Sequence, residues 1–270
     1  MCRCMYKACK SIFTNLIVSD ASKGHVADFS LFRHDLEAVG TQLLDPYLPK
    51  PFVALAHSMG GCIALTAASE GWLPVDRLIA LAPMVELKMV KHPRTVRMLV
   101  RLLSSLGFGE RFVPGGDGRS ISTLGFAGNR LSSDLPRYQR NAVLAEALGT
   151  GAIGAPTIGW LAAAYRAMDR FRDPALAARI KLPVLVVAAG DDPVCSTSGI
   201  VAFAERLKSG PAIVIPDSRH EILMETDAIR AAFWDRFDSF TQSAAGGLPG
   251  SAAQDVEHGA VQARVAAGDD

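Results

Sequence analysis

Four short apolar runs, each bounded by proline, glycine or charge, set the frame of this chain: Pro51 to Ala56, Arg77 to Ala82, Pro183 to Ala189 and Pro211 to Ile215. Within them the apolar residues are continuous rather than alternating. In the last three that marks strands covered on both faces, and so a mostly parallel sheet with flanking helices. Between these runs the period lengthens. From Phe29 to Leu48, the residues Phe32, Leu36, Val39 and Leu43 recur at helical spacing, and Pro46 and Pro49 close the segment. Gly60 to Leu65 predicts a helix of small residues packed closely on the sheet. Pro156 to Phe171 predicts another, carrying Trp160, Leu161, Ala164, Tyr165 and Met168. A last core helix is expected from Thr226 to Phe240, built on Ile229, Phe233, Phe237 and Phe240. The whole reads as an α/β fold.

Residues 86–181, between the second and third strands, are too many for an ordinary crossover and are expected to form an inserted helical cap. The division that follows is an atypical N-terminal segment at 1–23, a core at 24–85 and 182–240, the cap at 86–181, and a tail at 241–270. The tail is rich in Ala, Gly and Asp, lacks an aliphatic pattern, and is read as disordered. The first part of the cap carries Lys88, Lys91, Arg94, Arg97 and Arg101 among Met89, Val90, Val96, Met98, Leu99 and Leu102. A solvated helix face, with Arg97 and Arg101 one turn apart, is the simpler reading. Peripheral membrane contact through this basic cap is the sharper one. Trp160, Leu161, Ala164, Tyr165 and Met168 either roof a pocket or pack the cap on the core, and their spacing does not separate the two.

Composition narrows the partners. At 270 residues a single α/β domain can bury a substantial core without further partition. A net charge of +1 with 20% charged residues argues against nucleic acid and points to a small-molecule partner. The cysteines, Cys2, Cys4, Cys9, Cys62 and Cys195, are an odd set without paired spacing, which suits a reduced cytoplasmic protein. Cys2, Cys4 and Cys9 have no neighbouring histidine or further cysteine to complete a tetrahedral site, so no metal is expected. Arg3, Lys7 and Lys10 before Ile12 to Val18 imitate a signal peptide, yet Thr14 and Asn15 interrupt the apolar stretch and no cleavage site follows. Secretion is therefore rejected. No apolar run approaches the ~18 residues of a spanning helix.

The chemistry sits where the first strand stops. Ala56-His57-Ser58-Met59-Gly60-Gly61 joins that strand to the small-residue helix, the setting in which a tight turn lifts a serine hydroxyl clear of the backbone. The usual pattern is Gly-x-Ser-x-Gly, so Ala56 departs at the first position while staying small. Serine needs a base within hydrogen-bond reach, and the base needs an orienting carboxylate. Both belong on loops past later strands. After the third strand come Asp191 and Asp192, and Asp192 is the expected acid, with Asp191 a turn residue. After the fourth comes Pro216-Asp217-Ser218-Arg219-His220-Glu221, which makes His220 the expected base. His57 is the main rival histidine. Its side chain is expected to point away from the nucleophile in a structural role, and His25, His34, His92 and His258 are read as surface or tail residues.

His57 to Gly61, Ala189 to Val194 and Arg219 to Leu223 together resemble the bacterial lysophospholipase and monoacylglycerol lipase branch of the α/β-hydrolases, the serine aminopeptidase-type hydrolases, from about Gly24 to Phe240. The resemblance implies an α/β-hydrolase fold with Ser58 as nucleophile, Asp192 as acid, His220 as base and the Met59 backbone N–H in the oxyanion hole. It also implies hydrolysis of a carboxylic ester, lysophospholipid or monoacylglycerol-like, without metal or organic cofactor. Members of that branch carry several strands before the equivalent of Gly24, one ending in a His-Gly loop that donates the second oxyanion hydrogen bond. Here residues 1–23 are too few for them, so the fold is expected to be N-terminally truncated. Lys23-Gly24-His25 has the wrong order, and His258-Gly259 lies past the last helix. Loss of one oxyanion donor typically costs about 10²–10³ in turnover. The first strand is expected to have one open edge, filled by Ile12 to Val18 or by a second copy in a homo-oligomer. The competing function is a catalytically silent fold that binds a ligand or protein. Related hydrolases acting on epoxides or haloalkanes carry aspartate at the elbow, which Ser58 excludes.

Overall fold

The structure, a computed structural model, describes residue 20 and residues 22–149 and 152–242. The N-terminal segment with Ile12 to Val18 and the tail beyond residue 242 lie outside these. Four parallel strands, β1 (Val53–His57), β2 (Arg77–Leu81), β3 (Val184–Ala189) and β4 (Ile213–Ile215), form one sheet in the order β1-β2-β3-β4. Val53 pairs with Arg77, Leu78 with Val184 and Val187 with Ile213. Each expected strand forms: β1 starts two residues later and runs one residue further, to His57, and the other three are one or two residues shorter.

Helix α1 (Phe32–Val39) continues through a π-helical turn, Gly40–Leu44, to a final turn at Asp45–Tyr47, where Pro46 closes the segment. Helix α2 (Met59–Glu70) follows β1 directly and ends on Gly71, whose φ of 78° is the left-handed value a helix stop favours. Between β2 and β3 lie α3 (Pro93–Leu103), α4 (Leu135–Leu148), α5 (Ile158–Arg170) and α6 (Pro174–Arg179). Helix α7 (Thr197–Ala204) crosses from β3 to β4, and α8 (Asp227–Gln242) comes last. Several starts are capped as the sequence dictates: Asp134 accepts from the Arg137 N–H, Thr157 from Trp160 and Ser196 from Gly199.

Alternation along the strands explains the continuous apolar runs. Leu78, Ala80, Val184, Val186 and Ala188 face one cluster with Leu65, Ala162, Tyr165, Ile200 and Phe203, whereas Ile79, Leu81, Val187, Ala189 and Ile215 face another with Ile222 and Phe233. Both faces of the central strands are thus dry. β1 is different. Ala54 and Ala56 reach the first cluster, but Val53 and Leu55 on the other face are 37% and 38% exposed. β1 is also an edge of the sheet among the described residues.

In the cap, one expectation is corrected in part and one open alternative is narrowed. Arg97 and Arg101 are not simply a solvated face: Arg97 is half-buried, Arg101 is exposed, and both reach across to Asp169 on α5, at 2.8 and 3.0 Å. The outward side of α3 is apolar instead, with Met98, Leu99 and Leu102 exposed. Helix α5 chiefly packs, since Ala164, Tyr165 and Met168 are buried in the main cluster. Tyr165 and Met168 also line a cavity of about 230 Å³ rimmed by Arg97, Arg172 and Arg206; Ser58, Asp192 and His220 are not among its lining residues.

Candidate active site

Because all four strands run the same way, the segments leaving β1, β3 and β4 emerge on one rim of the sheet, and each carries one of the expected residues. Ser58 follows His57 at the end of β1 with φ 53° and ψ −116°. A non-glycine residue held there costs about 1–3 kcal/mol, so the surroundings must impose it. They do so through the backbone: the Ser58 N–H donates to Leu81 at 3.0 Å, and the Ser58 carbonyl accepts from Met84 at 3.0 Å and Cys62 at 3.1 Å. The two glycines of the motif are not equivalent. A Cβ on Gly61 would meet Pro83 Cβ at 2.8 Å, while one on Gly60 would meet open space. The close approach of α2 to the segment after β2 therefore depends on Gly61.

His220 Nε2 lies 2.8 Å from Ser58 Oγ, and His220 Nδ1 lies 2.8 Å from Asp192 Oδ2. The carboxylate can only accept, which puts the imidazole proton on Nδ1 and leaves Nε2 as acceptor for the serine hydroxyl. The other Asp192 oxygen accepts the Val194 and Cys195 N–H groups at 2.8 and 3.0 Å. Asp192 is fully buried and His220 4% exposed. Asp191, its sequence neighbour, is exposed and uses its N–H to hold the Ser218 carbonyl at 2.9 Å. Met59, whose N–H is the expected oxyanion donor, is the first residue of α2, where helical N–H groups have no partner within the helix.

His57 departs from the sequence reading. Its ring does not point away from the site: the His57 and His220 ring centroids are 4.8 Å apart, and Nε2 donates to the His220 carbonyl at 3.0 Å. Burial, with the neighbouring His220 next, lowers its pKa to about 4, so it stays neutral at pH 7. The period of the strand, which sends alternate residues to opposite faces, gave no hint of this contact over the rim. His25 is also no plain surface residue, since its Nδ1 meets the buried Thr157 hydroxyl at 2.7 Å.

Cys195 is buried beside the acid, and its ligating atom, with those of Asp192 and His220, falls within a 4.8 Å group. This donor set is poor for a cation. His220 Nδ1 and Asp192 Oδ2 are already bonded to each other, and burial, with the Asp192 carboxylate adding to the effect, raises the Cys195 thiol above its ordinary range. Burial pushes the Cys62 thiol up to about 12 as well.

Sequence reasoning missed the groups that hold His220 from the cap side. Glu225, fully buried, accepts from the Arg219 N–H at 2.9 Å, the Ser133 N–H at 3.0 Å and the Ser133 hydroxyl. The Glu221 N–H donates to the Leu131 carbonyl at 2.8 Å. The available signal was a glutamate five residues past the expected base, inside an otherwise apolar turn.

A strained serine at a strand-to-helix turn, hydrogen-bonded in line to a histidine and a buried aspartate, marks the α/β-hydrolase fold class. Known folds agree: a soluble variant of monoglyceride lipase from Saccharomyces cerevisiae superposes with a TM-score of 0.62 at 16% identity, over 83% of this chain and 72% of that one. The chain belongs to the family described as serine aminopeptidase, S33, whose model matches residues 18–227. Among curated proteins it is 23% identical over 208 residues to the probable lysophospholipase L2 of Haemophilus influenzae, covering 77% of this chain. It is 28% identical over 227 residues to lysophospholipase L2 of Escherichia coli strain K12, covering 80% of this chain. The chain spans 65% and 64% of the length of these relatives.

Proposed function

We propose that the protein is a serine hydrolase that cleaves carboxylic esters of the lysophospholipid or monoacylglycerol kind through an acyl-enzyme. The single observation that carries this reading is the unbroken line from Ser58 Oγ through His220 to Asp192, with 2.8 Å at each step. His220 Nε2 takes the Ser58 proton as Oγ bonds to the ester carbonyl carbon. The imidazolium that forms is held by Asp192, and the negative charge gathering on the carbonyl oxygen falls to the Met59 N–H. Collapse breaks the ester C–O bond, and His220 returns the proton to the departing alcohol. Water then attacks the acyl carbon with His220 again accepting a proton, which releases the acid and restores the serine. None of these steps calls for a metal. The choice of a lipid-like ester leans on the activities named for the two relatives.

Contact with a lipid surface belongs to the same proposal. Met98, Leu99, Leu102 and Leu106 are 69%, 49%, 54% and 62% exposed on and just after α3, with Lys88, Lys91 and Arg94 also exposed nearby. An apolar stripe edged by cations suits an anionic interface better than bulk water. Among the described residues no helix is long and apolar enough to cross a membrane.

A fluorophosphonate probe tests the chemistry directly. Covalent labelling of Ser58 that disappears in Ser58→Ala is the expected result. Absence of labelling in folded protein would overturn the reading in favour of a silent binding module.

A further inference from the structure

We infer that Glu225 is a positioning residue for the base, closing the loop that carries His220 and tying it to the cap. This rests on the proposed role of His220. The backbone on both sides of His220 is held at successive points: the Arg219 N–H by Glu225 Oε1 at 2.9 Å, the His220 carbonyl by His57 Nε2 at 3.0 Å, and the Glu221 N–H by the Leu131 carbonyl at 2.8 Å. Glu225 thus bridges back to Arg219 and encloses His220 within a side-chain-closed turn. Its second oxygen reaches Ser133 on the cap, through both the N–H at 3.0 Å and the hydroxyl. The Arg219 guanidinium adds bonds to the Asn129 and Ser132 carbonyls at 3.3 and 3.1 Å, and Arg137 holds the Glu225 carbonyl at 2.9 Å.

The residue type follows from the donor count. Two backbone N–H groups and a hydroxyl all point at Glu225, which is fully buried, so the group there must be able to accept on both oxygens. A glutamine has one accepting oxygen, and its NH₂ would face an N–H that has nowhere else to donate. The Glu225 side chain carries the arrangement without a cation of its own within ion-pair distance among the described residues, so its binding energy goes into fixing backbone positions. A general base must stay within about 2.6–3.2 Å of its proton, and a shift near 1 Å costs on the order of 10²-fold in rate. A merely structural Glu225 would affect folding and leave that distance alone.

The test compares wild type and Glu225→Gln by ester turnover, by the rate of fluorophosphonate labelling at Ser58, and by thermal unfolding. Wild-type labelling must be present, since its absence defeats the function proposed above and not this inference. The expected result is a fall of about 10- to 100-fold in kcat and in labelling rate, with KM within about twofold and the folded fraction unchanged at assay temperature. In a His220→Ala background the same substitution should remove nothing further, because it acts through that ring. Unchanged kcat in folded Glu225→Gln, or an undiminished loss in the His220→Ala background, would overturn the inference. If Glu225→Gln does not fold, Ser133→Ala, which removes only the hydroxyl donor, is read by the same criteria. A smaller but parallel loss of labelling rate supports the inference, and a wild-type rate overturns it.

Discussion

The rim that carries Ser58, Asp192 and His220 and the helix α3 on the cap treat polar and apolar groups in opposite ways. At the rim, polar atoms are taken inside and matched one by one: both Asp192 oxygens, both His220 nitrogens and both Glu225 oxygens have partners. On α3 Arg97 and Arg101 reach to Asp169, which they share with Arg172, while Arg94 stays in solvent and so do the large apolar side chains Met98, Leu99 and Leu102. Unmatched polar groups would be costly in the dry rim, so each partner there is individually indispensable. The exposed leucines of α3 contribute little to folding. Their arrangement suits the contact with a lipid surface proposed above.

The largest effect that would separate the two regions is at the acid. Asp192→Asn should lower kcat by about 10⁴, because an amide can turn its NH₂ toward His220 and favour the wrong tautomer, while α3-dependent behaviour stays intact. A loss below about tenfold, measured on a soluble ester, would break the account of the rim. For the cap the expected reversal is Leu102→Asp combined with Leu106→Asp. Turnover of a short soluble ester should hold, while sedimentation with anionic vesicles falls by about tenfold or more through lost apolar burial. Equal binding of both forms to those vesicles would sink the interface reading.

A third contrast is in pH. His57, held neutral with its pKa near 4 against an ordinary 6.5, binds fewer protons folded than unfolded over that interval. Its contribution to stability is therefore full above about pH 6.5 and declines as pH falls toward 4. His57→Gln, which keeps a donor for the His220 carbonyl but cannot ionise, should show a flatter melting profile across that window. The smallest effect is at Arg101, half exposed and 3.0 Å from Asp169. Arg101→Ala should cost less than about 1 kcal/mol in denaturant unfolding, since Arg97 remains on the same carboxylate.

The same contrast explains what could be read from the chain. The strands were legible because two apolar faces leave a continuous run, and Ser58, Asp192 and His220 because parallel strands send their following loops to one rim. Gly61 was legible as a small residue, though Pro83, which requires it, was not. Pairings that depend on a second element were hidden: nothing near Arg97 or Arg101 announces Asp169 on another helix, and nothing near Glu225 announces Ser133. The exposure of Val53 and Leu55 was hidden for a related reason, as a strand's composition does not reveal whether a helix covers it.

His57 and Ser58 are consecutive residues of one chain, and both bond to His220, one to its carbonyl and the other to its ring. These contacts come from β1 at one border of the sheet to the loop leaving β4 at the other, about 14 Å away at the usual spacing of strands. Asp192 already fixes the ring at Nδ1, and the bond from His57 fixes the backbone that carries it. Two anchors set side by side act as a bracket that ties Ser58 and His220 together across the width of the sheet.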